Sequence, residues 1–229
     1  MQEITDSQSR KEYRKEEKTM KDMTVWAIRT ENVRRLDISG LEALMPQRME
    51  KAKRFRFEKD RLLCIGAGYL MIQALGIRNE SVLRYGANGK PFAPGYSAFS
   101  LSHSGQWCVL ACGPQKNIGV DIEQMQENCM DVAPAVYTQR ELAWMAADPV
   151  NRFFRLWTWK ESVMKATGMG MSLAPQTFEV LPFSKGHPVF LQDRAWYARG
   201  GDLDGYSYSV CSDEPIGQLR WTEITNFPV

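Results

Sequence analysis

The sequence predicts a mixed α+β protein made of a duplicated unit with a cleft between its halves. Three observations predict it. Short apolar runs bounded by Gly, Pro, Asn and Asp mark strands, apolar residues at intervals of three and four mark helices, and the two kinds recur twice in the same order. Each half runs strand, helices, then antiparallel strands. At 229 residues the chain has room for one large domain or two small ones, with ample core. The expected division is a charged N-terminal extension over 1–23, a first subdomain over 24–117 and a second over 118–229.

Composition excludes several classes. The net charge is +2, and no window approaches the ~18 apolar residues of a membrane span, so no membrane partner is expected. Five cysteines without a Cys-x-x-Cys pair suit a reducing, cytoplasmic setting better than a disulfide framework or structural zinc. With only two histidines, any metal should be held by oxygen. The first residues are rich in Lys, Arg and Glu and lack the apolar segment of a signal peptide. They read as disordered or loosely helical, with Met20 or Met23 as possible starts.

Val25–Ile28 is the first strand expected, and Ser39-Gly40 a turn. Pro46 opens a helix, where its missing N–H is harmless, and Arg48, Lys51, Lys53, Arg54 and Arg56 follow on it. A nearly neutral whole-chain balance argues against nucleic acid, and the spacing of Phe55 and Phe57 suggests core. A small phosphorylated ligand needs only two or three of these cations. The next helix runs from Asp60 to Leu75, closed by Gly76, and Gly66-Ala67-Gly68 within it leaves room for a neighbouring helix. Asn88-Gly89 is a hairpin signal between Leu83–Tyr85 and Lys90–Phe92. Phe99–Gly105 and Trp107–Ala111 form another pair. His103, beside Ser102 and Ser104, suits either a phosphate donor or a turn histidine bonded to a backbone carbonyl.

Scattered apolar residues from Met125 to Tyr137 suit packing, or in part a partner-docking patch. Thr138-Gln139-Arg140-Glu141 is a capping box, and the helix it starts is expected to stop at Pro149. Asn151 is the expected cap of the next helix, where Phe153, Leu156, Trp157, Val163 and Met164 form an apolar stripe that Lys160 joins by its stem. The remainder reads as strands: Phe178–Leu181, Val189–Leu191, Trp196–Ala198, Tyr206–Val210 and Leu219–Thr222.

Two stretches carry chemistry. In Ile118-Gly119-Val120-Asp121-Ile122-Glu123 a strand points three apolar side chains one way and sets both carboxylates roughly 7 Å apart on the other. In Trp157-Thr158-Trp159-Lys160-Glu161-Ser162-Val163-Met164-Lys165 a helix stacks Glu161 over Lys165, a spacing that by itself also serves as a surface support. Glu161 is the natural third acid for a cation shared with Asp121 and Glu123.

These two stretches, with Gly89-Lys90-Pro91, Leu101-Ser102-His103-Ser104-Gly105 and the basic helix after Pro46, resemble the 4′-phosphopantetheinyl transferases of the long, two-half type. The resemblance spans most of the chain beyond Met45. It implies two similar α/β subdomains in pseudo-two-fold symmetry, coenzyme A in the cleft, Mg²⁺ on its pyrophosphate, and a single chain supplying both walls as a monomer. It further implies transfer of the phosphopantetheine arm to a serine of an apo acyl or peptidyl carrier protein, with release of 3′,5′-ADP. On this resemblance Asp121 and Glu161 are direct metal ligands, Glu123 is a direct or water-mediated one, and Glu161 or a metal-polarised water accepts the serine proton. Lys165 neutralises the pyrophosphate, His103 holds a phosphate oxygen, and Arg48, Lys51, Lys90 and Ser102 grip the nucleotide. One position departs: Leu63 stands where relatives carry an arginine three residues after the acidic one, and Arg61 is the nearest substitute. The same acids would serve a Mg²⁺-dependent pyrophosphate hydrolase, and a non-catalytic coenzyme A or carrier binder would use them only to shape the cleft.

Overall fold

Period-two alternation of apolar side chains lays down two sheets. The computed structural model describes residues 20–181 and 188–225. Strand β1 (Lys21–Arg29) leads through short helices α1 (Thr30–Val33), α2 (Ser39–Leu44) and α3 (Pro46–Lys53) to the long α4 (Glu58–Leu75). A hairpin of β2 (Arg84–Tyr85) and β3 (Pro91–Phe92) precedes β4 (Ala98–Ser104), β5 (Trp107–Gly113) and β6 (Ile118–Gln124). Helices α5 (Ala133–Val136), α6 (Gln139–Met145) and α7 (Pro149–Thr167) follow. Strands β7 (Val189–Leu191), β8 (Arg194–Leu203), β9 (Tyr206–Ser212) and β10 (Ile216–Glu223) complete the described chain.

Two four-stranded sheets result, ordered β10-β1-β5-β4 and β6-β9-β8-β7. The α+β class expected from the sequence is the class observed. Helix α4 covers the first sheet through Ile28, Leu70, Met71, Cys108 and Leu110. Helix α7 covers the second through Leu156, Val163, Met164, Trp196 and Cys211. Between the sheets lies a third core, in which Val25, Trp107 and Val109 meet Ile118, Val120, Ile122 and Val210. Along β5 the odd residues enter this inter-sheet core and the even ones face α4, so a nearly continuous apolar run is buried on both sides. Strand β10 returns to pair in parallel with β1, placing the last described strand in the sheet built otherwise from residues 21–113.

Several elements differ from expectation. Lys21–Met23 belong to β1, with Met23 buried, so the charged stretch assigned to 1–23 yields its last three residues to the fold; residues 1–19 lie outside the described residues. Ser39-Gly40 begins α2 instead of turning. The basic helix ends at Lys53, leaving Arg54 as its cap and Arg56 beyond it, and Phe57 is 63% exposed where core was expected. A Cβ at Gly68 would strike Arg48 Cδ at 2.7 Å, so this glycine admits a side chain of α3; Gly66 lies instead against Val33 and Ile28. Asp148 occupies the cap position of α7 and Pro149 begins that helix, while Asn151 sits inside it and donates to the Asp148 carboxylate. Proline is tolerated in a first turn, where no N–H is needed.

Phe178–Leu181 is not a strand. The backbone there is taken by a buried ion pair: Glu141 accepts from Val180 N at 3.0 Å, and Lys160 Nζ donates to the carbonyls of Pro175 and Phe178. Lys160 therefore buries its charged head as well as its stem, 2.8 Å from Glu141 Oε2 with both side chains fully enclosed. Loss of hydration offsets the partner's attraction and lowers the Lys160 pKa.

Candidate active site

The site forms where the two sheets meet edge to edge. Strands β4 and β6 are outer strands of different sheets and lie side by side, with α7 crossing β6. The crossing is close because residue 119 is glycine: a Cβ there would overlap the Ser162 carbonyl and come within 2.6 Å of Ala166 N. Glu161 and Lys165 thereby reach the face of β6 that carries Asp121 and Glu123. A cavity of about 640 Å³ gathers these four with Ser102 and His103 of β4 and Arg48 and Lys51 of α3. A second cavity of about 320 Å³ shares Glu161 and Lys165 and extends to Lys90, Met164 and Met171.

Asp121 is the centre of this arrangement. Its Oδ1 accepts from Lys165 Nζ at 2.6 Å and from Ser102 Oγ at 2.7 Å, and Lys165 Nζ also donates to Ser102 Oγ at 3.0 Å. Its Oδ2 is buried without a hydrogen-bond partner. Ser104 Oγ donates to Glu123 Oε2 at 2.7 Å. Burial, then the Asp121 charge, pushes the Glu123 carboxyl up to about 7. The same two causes raise Glu161. Burial lowers His103, and the Lys165 ammonium lowers it further. Crowded anions beside cations, in partial shelter from water, characterise sites that handle charged ligands.

Among the described residues no three carboxylate, imidazole or thiol groups form a ready-made metal cage. The donor set still fits Mg²⁺. The three carboxylates line one cavity, one carries an unpartnered buried oxygen, and the Asp121 charge raises the proton affinity of the other two. This cation typically takes one or two carboxylates and draws its other ligands from water and phosphate. In the same cavity lining, Arg48 Nε is buried and unpartnered.

Most residues expected at the site line the main cavity; Lys90 lines the smaller adjoining one. Its Nζ donates to the Ile118 carbonyl at 2.8 Å, tying the hairpin to the start of β6, and burial depresses it to about 8. Arg61 is absent from both cavity linings, and Leu63 is buried core. Gln47, Glu80, Tyr85 and Trp157 line the main cavity without having been foreseen. Glu80 Oε2 accepts from the backbone N–H of Gln47 and Arg48 at 2.7 and 3.1 Å, capping α3 from a distance. A signal existed: Met45 at the cap position offers no acceptor, so those N–H groups need one from elsewhere.

An α+β fold whose cavity sets carboxylates against ammonium, guanidinium and imidazole groups defines a protein built to take an anionic ligand. The profile of the 4′-phosphopantetheinyl transferase superfamily matches residues 117–211, a span that holds both chemistry-bearing stretches. A 4′-phosphopantetheinyl transferase of Bacillus subtilis is 30% identical over 196 residues, covering 76% of this chain and 84% of the relative. The gsp transferase of Aneurinibacillus migulanus is 32% identical over 156 residues, covering 62% and 63%. The Sfp transferase of Bacillus subtilis (strain 168) is 28% identical over 188 residues, covering 75% and 83%. The chain belongs to the 4′-phosphopantetheinyl transferase superfamily and is a phosphopantetheinyl-transferring enzyme.

Proposed function

We propose that this transferase moves the 4′-phosphopantetheine arm of coenzyme A to a serine of an apo acyl or peptidyl carrier protein, with Mg²⁺ as cofactor and 3′,5′-ADP as the leaving product. The observation that carries the reading is the convergence of Asp121, Glu123, Glu161, Lys165, His103 and Arg48 on one cavity. Phosphoryl transfer asks a protein chiefly to position the reactants and to neutralise oxygens that gain charge. Bound Mg²⁺ would supply a Lewis acid for the diphosphate, held by Asp121, Glu123 and Glu161.

The chain's own groups do the rest. Arg48 and Lys51 on α3 and His103 on β4 face the phosphates. Lys165 balances charge on the departing nucleotide. The Ser102 proton is spent on Asp121, so this hydroxyl orients the acid in place of donating to a phosphate. Lys90 supports the wall. Glu161, in the same cavity lining, is placed to take the serine proton. No helix among the described residues is long and apolar enough to cross a membrane. The four described cysteines are free, which supports a reducing, cytoplasmic setting. One chain supplies both cleft walls, which supports a working monomer.

Incubation with coenzyme A, Mg²⁺ and an apo carrier domain tests the proposal. Mass spectrometry should show the carrier gaining one phosphopantetheine, and only when Mg²⁺ is present. Consumption of coenzyme A without a carrier would indicate a pyrophosphate hydrolase instead, and an unmodified carrier would end the proposal.

A further inference from the structure

We infer that Ser104 is a positioning residue for Glu123, fixing that carboxylate from the edge of the opposite sheet so that it is ready for a divalent cation. The inference rests on the acid cluster being read as the cation site.

Strands β4 and β6 belong to different sheets, yet their hydroxyls and carboxylates match in step. Ser102 and Ser104 are two residues apart on one strand, Asp121 and Glu123 two apart on the other, and each serine donates to its acid at 2.7 Å. A hydroxyl has one proton, and here its direction is imposed, because an N–H approaches each serine oxygen from elsewhere. For Ser102 that donor is Lys165 Nζ at 3.0 Å, a flexible side chain. For Ser104 it is the backbone N–H of Gln124 at 3.1 Å, part of β6 itself. The amide of Gln124, the Ser104 hydroxyl and the Glu123 carboxylate thus close a short loop between β6 and β4. Of the two rungs, only that of Ser104 has its hydroxyl oxygen held by a backbone N–H. A glutamate side chain otherwise loses rotamer freedom when it binds, and prior fixing removes that cost.

The test is Mn²⁺ affinity, by electron paramagnetic resonance and without coenzyme A or carrier, for wild type, Ser104→Ala, Ser104→Thr and Glu161→Gln. Removing a hydrogen bond that orients a metal ligand typically costs 10- to 100-fold in affinity. Ser104→Ala should bind Mn²⁺ roughly tenfold more weakly. Its Mg²⁺ half-saturation in the transfer assay should rise in parallel, and Ser104→Thr, which keeps the hydroxyl, should restore both. A purely structural serine would lower the melting temperature and leave Mn²⁺ affinity within twofold of wild type, and that result overturns the inference. If Ser104→Ala does not fold, Ser104→Cys, close in shape with a far weaker donor, carries the same comparison. Wild type without Mn²⁺ affinity would refute the acid cluster as the cation site, and this inference with it. Wild type that binds, with Ser104→Ala binding equally well, refutes the role of Ser104 alone.

Discussion

Lys165 Nζ lies 2.6 Å from Asp121 Oδ1, an ion pair joining the long helix of the second half to the edge strand of its sheet. The ammonium holds one oxygen of the acid while the other stays buried and unpartnered. A cation that binds Asp121 must therefore compete with Lys165 for negative charge. Lys165→Met should bind Mn²⁺ at least as tightly as wild type, yet transfer at under about 1% of its rate, since a charge-stabilising group commonly contributes 10²–10³-fold. Calorimetry and a single-turnover assay on the same preparation check both halves. Weaker Mn²⁺ binding would contradict the competition.

Glu161→Gln changes charge at nearly constant shape. The expected outcome is loss of transfer by two orders of magnitude or more, with the melting temperature retained or raised, because a carboxylate already disfavoured by burial and by Asp121 is removed. Mass spectrometry of the carrier and a thermal melt decide it. A folded, fully active variant would remove Glu161 from the mechanism.

Away from the cleft, Lys160 and Glu141 form a fully enclosed pair that also ties down Thr138, Pro175, Phe178 and Val180. Lys160→Met strands a buried carboxylate and should cost about 3–5 kcal/mol of stability by urea unfolding. Adding Glu141→Gln should recover part of that loss, since the amide oxygen still accepts while the stranded charge disappears. A loss below about 1 kcal/mol for the single variant would show that water reaches the pair.

Gly119→Ala tests how the acids of β6 meet those of α7. One methyl group there overlaps the backbone of α7 at Ser162, which cannot yield as a side chain could. The expected cost is about 1–3 kcal/mol or more, with transfer reduced further than stability accounts for, because Glu161 and Lys165 move away from Asp121. Activity measured well below the melting temperature separates the two effects.

Lys90 offers a pH signature. Burial depresses its ammonium from 10.5 to about 8, so the folded protein binds this proton less tightly than the unfolded chain. The resulting penalty is complete below pH 8 and fades as pH rises from about 8 to about 10.5. The stability of wild type relative to Lys90→Met should therefore increase across that window. Urea melts at several pH values report it, and a flat difference would mean that the amine is solvated.

Where period and punctuation carried the information, the sequence was legible. The alternation Ile118-Gly119-Val120-Asp121-Ile122-Glu123 places three apolar residues in the inter-sheet core and the acids on the other face, as the strand period requires. The Thr138–Glu141 capping box and the left-handed glycine after Leu75 also stand as expected. Legibility failed where distant groups override local pattern. Phe178–Leu181 has strand composition, but its backbone is claimed by Glu141 and Lys160. Phe55 and Phe57 resemble core, yet the chain between α3 and α4 turns them outward.

The sequence by itself determined the kinds of element, their order, and which residues could serve as acids and bases. Hydrophobic period, caps and turn residues are local properties, written within a few positions of where they act. Only the tertiary structure decided that Ser102 and Ser104 stand opposite Asp121 and Glu123, that Glu80 caps α3, that Lys90 faces the Ile118 carbonyl, and that the last strand returns to the first. Those pairings join residues far apart in the chain, and their geometry depends on how two sheets and two long helices pack together, which no single segment encodes.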